Sequence, residues 1–543
     1  MGQRCAYYVT WVIVTSNQAK RVSHEISKKQ RAARISVAGT GSVSEAGKVM
    51  TTVQRIAKNA AALYAGQGVV ALLTLLLSVF LARELGSSAL GKWAFAVNFT
   101  AIAAVFLDLG FDTLIVREVA RDRSSSSKYV GNIVIMKVVL SIVVFGLIAL
   151  IISLVDFPHD TTLAVLILGV YIILNALSTV FMQIFQAFER MEYSASLSVF
   201  GQLITTSVGL TFIFSGHGVV AVASACAIGG LLKLIVSFLL CSKRFAKPQI
   251  EVDLDFWKST AKSGLAVAML PMSAIISVRT DTIILSLMKT DAEVGWYNAA
   301  NILPLGLGDI PMIFMFALLP LMSTSFLTSP SSLRTIYQKS LTFLFMLGLP
   351  MAAGMFLLSG RIIPLLYGDQ FQPSVVALQM LSWRLFLTFL SIPLSFILIS
   401  MNKQNQMAIA VALSAMTNIV LNLILIPSLS YKGAAIAALV TGVVTLTFCF
   451  YVVSKHLYRL PLHRLVIKPL IACLAMGMLV YWGKAINLIL LIGLASALYF
   501  VVLYLIKAFS REDINMIKEA IRVPQLGEWL AKKRRLVNDR HDQ

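Results

Sequence analysis

Runs of about twenty predominantly apolar residues recur some fourteen times along this chain, separated by loops too short to hold a domain of their own. A bilayer's hydrocarbon core is about 30 Å thick and an α-helix rises about 1.5 Å per residue, so each run matches one crossing. The first six fall near 61–82, 93–112, 131–155, 162–186, 196–214 and 218–241. Six more fall near 264–288, 297–322, 340–358, 376–400, 407–426 and 433–453, and two follow near 465–482 and 486–506. The runs are continuous and do not alternate, which excludes the strands of an outer-membrane barrel. With 58% of 543 residues apolar and only 13% charged, the chain carries more apolar side chain than a soluble assembly can bury. The reading is an all-α integral membrane protein of about fourteen transmembrane helices.

The loops give the orientation. One alternating set holds 16 Lys and Arg and the opposite set holds 6. Basic loops stay on the cytoplasmic side, so both termini are expected inside. The net charge of +21 is spread over these loops and the termini, with no basic face interleaved with aromatics. That distribution fits an anionic bilayer leaflet and argues against nucleic acid. Cys5, Cys226, Cys241, Cys449 and Cys473 lie far apart without a CxxC, and the six histidines are scattered. No disulfide framework, metal site or cofactor is expected.

Residues 1–49 stand outside the bundle. They are basic and rich in Ser, Ala and Gly, and their one apolar stretch, Cys5 to Thr15, is too short to span. They read as a disordered extension, either an extended start ahead of Met50 or a cytoplasmic arm. The remaining boundaries are a six-helix half at 50–241, a cytoplasmic linker at 242–263, a second six-helix half at 264–453, and helices 13 and 14 at 454–506. In 507–543, Ile514, Ile517 and Ile521 share one helical face, which predicts an amphipathic helix on the cytoplasmic leaflet before a basic tail.

The division into halves rests on a repeat. Gly91-Lys-Trp93-Ala-Phe-Ala96 after the first span aligns with Gly295-Trp-Tyr297-Asn-Ala-Ala300 after the seventh. Gly218-Val-Val-Ala-Val-Ala223 likewise aligns with Gly433-Ala-Ala-Ile-Ala-Ala438. Two pseudo-symmetric halves of equal handedness place a cavity between them, which suits alternating access.

Four stretches carry a resemblance. Phe106-Leu-Asp108-Leu-Gly110, running to Arg117-Glu118, closes the second span, and Arg279-Thr-Asp281 precedes Gly295-Trp-Tyr297. Leu366-Tyr-Gly368-Asp-Gln-Phe371-Gln-Pro precedes the tenth span, and Asn418-Ile-Val-Leu-Asn422 leads to Pro427 and Gly433. In this order the chain resembles the polysaccharide-exporter branch of the multidrug/oligosaccharidyl-lipid/polysaccharide flippase superfamily, over roughly residues 52 to 520. The resemblance implies a flippase that moves an isoprenoid-phosphate-linked oligosaccharide to the outer leaflet of the cell membrane. It also implies an association with glycan-assembly or polymerase proteins.

Ionisable residues inside spans are costly and usually face a cavity or a partner. Arg279 suits phosphate, which a guanidinium grips bidentately, or else a structural ion pair with a carboxylate such as Asp281. Arg384 reads as cavity-lining and is a second candidate for phosphate. Lys233 is a further candidate for phosphate, although Lys233 and Lys137 lie near cytoplasmic ends and have the length to snorkel. Asp281 and Asp309 are candidates for ion coupling or structural pairing. Asp108 and Asp112, at i, i+4 spacing, are expected to pair with Arg117 or Arg121. Asn98-Phe-Thr100 matches a glycosylation sequon but starts inside a span, so it is discounted. Prolines crowd spans 7 to 10 and are missing from spans 1 to 6, which predicts more bending in the second half.

The chain has no Walker loop, no acidic metal motif in a cytoplasmic loop and no loop long enough for a glycosyltransferase site, so a transporter is expected in place of an enzyme. A cation-coupled multidrug antiporter of the same fold, or a non-transporting scaffold for glycan-assembly enzymes, are the alternatives left open.

Overall fold

The computed structural model describes residues 42–249, 253–458 and 462–508. The predicted amphipathic helix and basic tail lie outside the described residues, as do positions 1–41. Everything described is helix, tight turn or short loop. Lipid cannot hydrogen-bond the backbone, so every amide must be satisfied within its own segment. Eleven of the described helices are long and apolar enough to cross a membrane.

The helices run α1 (Ser42–Asp108), α2 (Phe111–Arg121), α3 (Ser126–Leu154), α4 (His159–Ala187), α5 (Met191–Phe214) and α6 (Val219–Arg244). They continue as α7 (Leu254–Met288), α8 (Asp291–Leu307), α9 (Asp309–Thr328), α10 (Pro330–Tyr367), α11 (Ser374–Ser400) and α12 (Gln404–His456). A second compact unit begins at Pro461 and holds α13 (Leu462–Trp482) and α14 (Leu488–Leu505). There Asn487 accepts the Ile489 N–H at 3.0 Å to start α14, and Lys468 Nζ reaches the Lys507 carbonyl at 2.8 Å.

Two helices are far longer than a bilayer is thick, and each breaks once. α1 breaks at Gly86 (φ 85°) and α12 at Ser430 (φ 52°), so each folds two predicted spans into one run of helical residues. The first helix starts at Ser42, ahead of the expected boundary at Met50. The predicted linker at 242–263 is shorter than expected, because α6 continues to Arg244 and α7 begins at Leu254. Asp253 causes the early start: its carboxylate accepts the Phe256 N–H at 3.0 Å and so satisfies a first-turn donor. Lys128 Nζ bonds the same carboxylate at 2.9 Å, and together these bonds hold the Asp253 carboxyl below its ordinary value.

The predicted second span ends at Leu109 (φ 42°) and Gly110 (φ 80°), both left-handed, and α2 leaves in a new direction. A Cβ at Gly110 would overlap the Gly264 carbonyl, so both the conformation and the contact demand glycine. The predicted eighth span is also divided, into α8 and α9 at Gly308, four residues after Pro304. The break at Leu109–Gly110 shows that a static helix break here needs no proline.

α4 packs on α6, α1 on α5, α10 on α11, and α12 on both α7 and α11. Contacts between α1 and α8 join the two sets. At that junction the repeated motifs meet reciprocally: a Cβ on Gly91 would overlap the Asp291 carbonyl, and one on Gly295 would overlap the Ser87 carbonyl. The turn after α10 braces the same end. Arg83 donates to the carbonyls of Leu365 and Leu366, Gln370 Nε2 donates to the Ala82 carbonyl at 3.2 Å, and Trp296 Nε1 donates to the Gln370 carbonyl at 3.3 Å.

Candidate functional site

A cavity of about 710 Å³ opens among α1, α4, α5, α6, α7 and α8. Its walls are mainly apolar, with Trp93, Tyr64 and Tyr171 among them. Six carboxamides also line it: Gln67, Asn98, Asn175, Gln202, Asn298 and Asn301. Among the described lining residues the charged ones are Lys233 and Arg279, and none is Asp or Glu. The site is thus cationic, rich in hydrogen-bonding amides and walled by low-dielectric side chains, where a charge acts far more strongly than in water.

Arg279, on α7, is buried, and its Nη1 donates to Asn98 Oδ1 at 2.8 Å. Lys233, on α6, runs its aliphatic stem over Gly201 and donates to Asn175 Oδ1 at 2.6 Å. Its ammonium therefore turns into the cavity and does not snorkel outward. Arg384 departs from expectation. It is not among the cavity-lining residues but stands behind one of them, donating to Asn301 Oδ1 at 3.3 Å. Depth along a helix was readable for Arg384, but the side of the helix it occupies was not.

Asp281 points away from Arg279, as their two-residue spacing requires. Its carboxylate is 2% exposed and accepts from Tyr297 Oη at 2.8 Å, Asn418 Nδ2 at 2.7 Å and Asn422 Nδ2 at 2.7 Å. Asn418 and Asn422 sit one turn apart on α12, so they grip one carboxylate together. The resemblance motif there thus ties α7, α8 and α12 into a polar knot. Asp309 opens α9 directly after the break at Gly308 and is not among the lining residues. Pro427 and Gly433 flank the break in α12, where Lys289 Nζ bonds the Pro427 carbonyl at 2.9 Å.

Asp108 and Asp112 do not pair with Arg117 or Arg121, which both bond Glu118. Their partner is Lys137, whose side chain is fully buried. Its Nζ lies 2.8 Å from Asp112 and 3.8 Å from Asp108, and also reaches Thr179 Oγ1 at 3.3 Å. Asp108 in turn accepts the Asp112 N–H at 3.1 Å, which restarts the helix after the break. Lys137 looked free to snorkel because sequence position reports depth and not azimuth. Lys137→Met is expected to destabilise the protein by about 1–3 kcal/mol, because it leaves the half-buried Asp112 carboxylate without its cation. A thermal melt in detergent checks this, and adding Asp112→Asn should recover part of the loss.

The asparagines at 98, 175 and 301 were missed. One signal was available: Asn175, Thr179 and Gln183 recur every four residues on α4, marking a polar stripe inside an apolar span.

Long apolar helices folded around an internal cationic cavity define a multi-pass membrane protein. The lipid II flippase MurJ, in an inward closed conformation, matches with a TM-score of 0.71 at 14% identity, covering 82% of this chain and 98% of MurJ. An inward-facing multidrug resistance MATE family transporter of the MOP superfamily matches with a TM-score of 0.59 at 17% identity, covering 71% of this chain and 95% of its own. The chain belongs to the family described as "Polysaccharide biosynthesis protein", whose profile matches residues 56–326. A relative from Haloferax volcanii, the probable low-salt glycan biosynthesis flippase Agl15, is 23% identical over 387 residues, which is 69% of this chain and 79% of Agl15. With these relatives and eleven described helices long and apolar enough to cross a membrane, the chain is a multi-pass membrane protein.

Proposed function

We propose that this protein flips an isoprenoid-(pyro)phosphate-linked oligosaccharide from the cytoplasmic to the outer leaflet of the cell membrane by alternating access. The observation that carries the reading is the composition of the cavity: Lys233 and Arg279 line it, six carboxamides surround them, and no described lining residue is acidic. Two cations attract lipid phosphate, and carboxamides replace the water that sugar hydroxyls give up. The isoprenoid chain stays in hydrocarbon while its polar head passes through the protein. The family description and the Agl15 flippase support the same substrate class.

In this reading the chain crosses the membrane fourteen times as two pseudo-symmetric halves plus two further helices, with both termini cytoplasmic. Arg384 acts from behind Asn301. Asp108 and Asp281 serve as structural anchors, and Asp309, beside a mid-span helix break, is the candidate for ion coupling. Glycan-assembly or polymerase proteins are the partners that receive the flipped product.

A binding comparison separates this reading from drug antiport. The purified protein should bind undecaprenyl diphosphate saturably, with affinity falling as salt screens the cavity cations, and should not bind ethidium. Ethidium binding without diphosphate binding would overturn the assignment.

A further inference from the structure

Each of the three membrane-embedded cations considered for phosphate rests on an asparagine oxygen. Arg279 donates to Asn98, Lys233 to Asn175 and Arg384 to Asn301. A carbonyl oxygen is a neutral counterpart of a phosphoryl oxygen. It holds the cation with less strength than an ion pair would, so an arriving oxyanion can displace it.

The three pairs differ in what they connect. Asn175 and Lys233 both belong to the first set of helices, on α4 and α6. Asn301 and Arg384 both belong to the second, on α8 and α11. Asn98 sits on α1 and Arg279 on α7, so this bond alone of the three crosses the cavity between the sets, joining residues 181 positions apart. Its orientation is also fixed. Asn98 Nδ2 donates to the Ala94 carbonyl one turn back at 2.7 Å, which leaves Oδ1 facing Arg279. Both side chains are buried, Asn98 at 5% and Arg279 at 7% exposure.

The geometry points to Asn98 as a stand-in ligand: it holds Arg279 across the cavity until a substrate phosphate displaces it, so that phosphate binding releases one tie between the two halves. Asn98 is thus a positioning residue acting through Arg279. The inference rests on the reading of the cavity as a phosphate site and adds the step that links occupancy to movement. A ligand shifts a conformational equilibrium only through a difference in its contacts between states, and displacement of Asn98 supplies one.

Three variants test it, with geranylgeranyl diphosphate as the probe in detergent. Spin labels at Glu192 and Gln404, both exposed, report the distance between the halves. Asn98→Asp keeps the shape but turns the stand-in into a true counter-ion. Its affinity for the probe should fall about tenfold or more, and added probe should leave the distance distribution unchanged. Asn98→Ala should bind the probe at least as tightly as wild type, and its ligand-free distances should resemble those of probe-bound wild type. Asn98→Ser carries the same expectation with a short acceptor and guards against a folding defect in either.

Wild-type affinity in Asn98→Asp would overturn the inference. So would a loss of binding in Asn98→Ala equal to that of Arg279→Ala, since Asn98 would then only position Arg279 for phosphate. If Arg279→Ala itself binds the probe like wild type, the phosphate reading of the cavity fails instead, and the two failures are distinct.

Discussion

Arg279→Ala is expected to lower transport of a lipid-linked oligosaccharide by about a hundredfold while the protein still inserts and accumulates. Arg279 is a buried guanidinium in the cavity wall, bonded to Asn98. With lipid phosphate bound, Arg279→Ala removes one partner of a buried, hydrogen-bonded charge pair at a cost of about 2–5 kcal/mol, and about 1.4 kcal/mol corresponds to tenfold. Arg279→Lys should restore only part of the rate, because an ammonium keeps the charge but loses the planar fork. The double variant Arg279→Ala/Asp281→Ala separates this from a structural ion pair. Asp281 is already held by Tyr297, Asn418 and Asn422, so removing it as well should not rescue transport. Recovery in the double variant would return Arg279 to a structural role. Transport rate and membrane abundance, measured together, decide it.

Gly295→Val should be nearly as damaging, for a different reason. Gly295 meets the Ser87 carbonyl, and Gly91 meets the Asp291 carbonyl, with no room for a Cβ at either place. A branched side chain at 295 must push the two repeats apart. Overpacking a close contact costs about 1–3 kcal/mol, enough to shift a two-state equilibrium about five- to 150-fold. The closed arrangement at this end should lose population, and transport should fall with it. The native Cys226 in the cavity wall is a ready reporter once the other cysteines are replaced. It should react faster with a membrane-impermeant maleimide added outside in Gly295→Val than in the parent. In the proposed orientation, with both termini cytoplasmic, equal reactivity would show that the glycine pair does not close the outer end.

What could be read from sequence follows from what lipid demands. A span is a local property, about twenty apolar residues, so the runs at 131–155, 162–186 and 196–214 reappear closely as α3, α4 and α5. Breaks are also local, but they depend on one or two residues. The left-handed pair Leu109–Gly110 left no mark beyond a glycine in a motif, and Gly308 left only nearby prolines. Helix starts moved where a cap was overlooked, as at Asp253. The site was half legible. That Arg279 and Lys233 sit in low dielectric follows from their place in apolar runs, since a charge there must face a cavity or a partner. Which partner it faces is a tertiary fact. Asn98 lies 181 residues from Arg279, and Asn175 lies 58 from Lys233. No periodicity reports such distances. The i, i+4 spacing of Asn418 and Asn422 announced a shared face, yet their target, Asp281, came only from the packing of α7 against α12.

The most direct test is flipping itself. The protein would be reconstituted into vesicles carrying a fluorescent undecaprenyl-diphosphate oligosaccharide in both leaflets, with a membrane-impermeant quencher added outside. Wild-type vesicles should lose nearly all their fluorescence as inner-leaflet lipid reaches the quencher, whereas Arg279→Ala vesicles should stop near the half set by the outer leaflet. Wild-type protein, monodisperse and correctly inserted, that also stops at half with every polyprenyl-phosphate glycan offered would contradict the account.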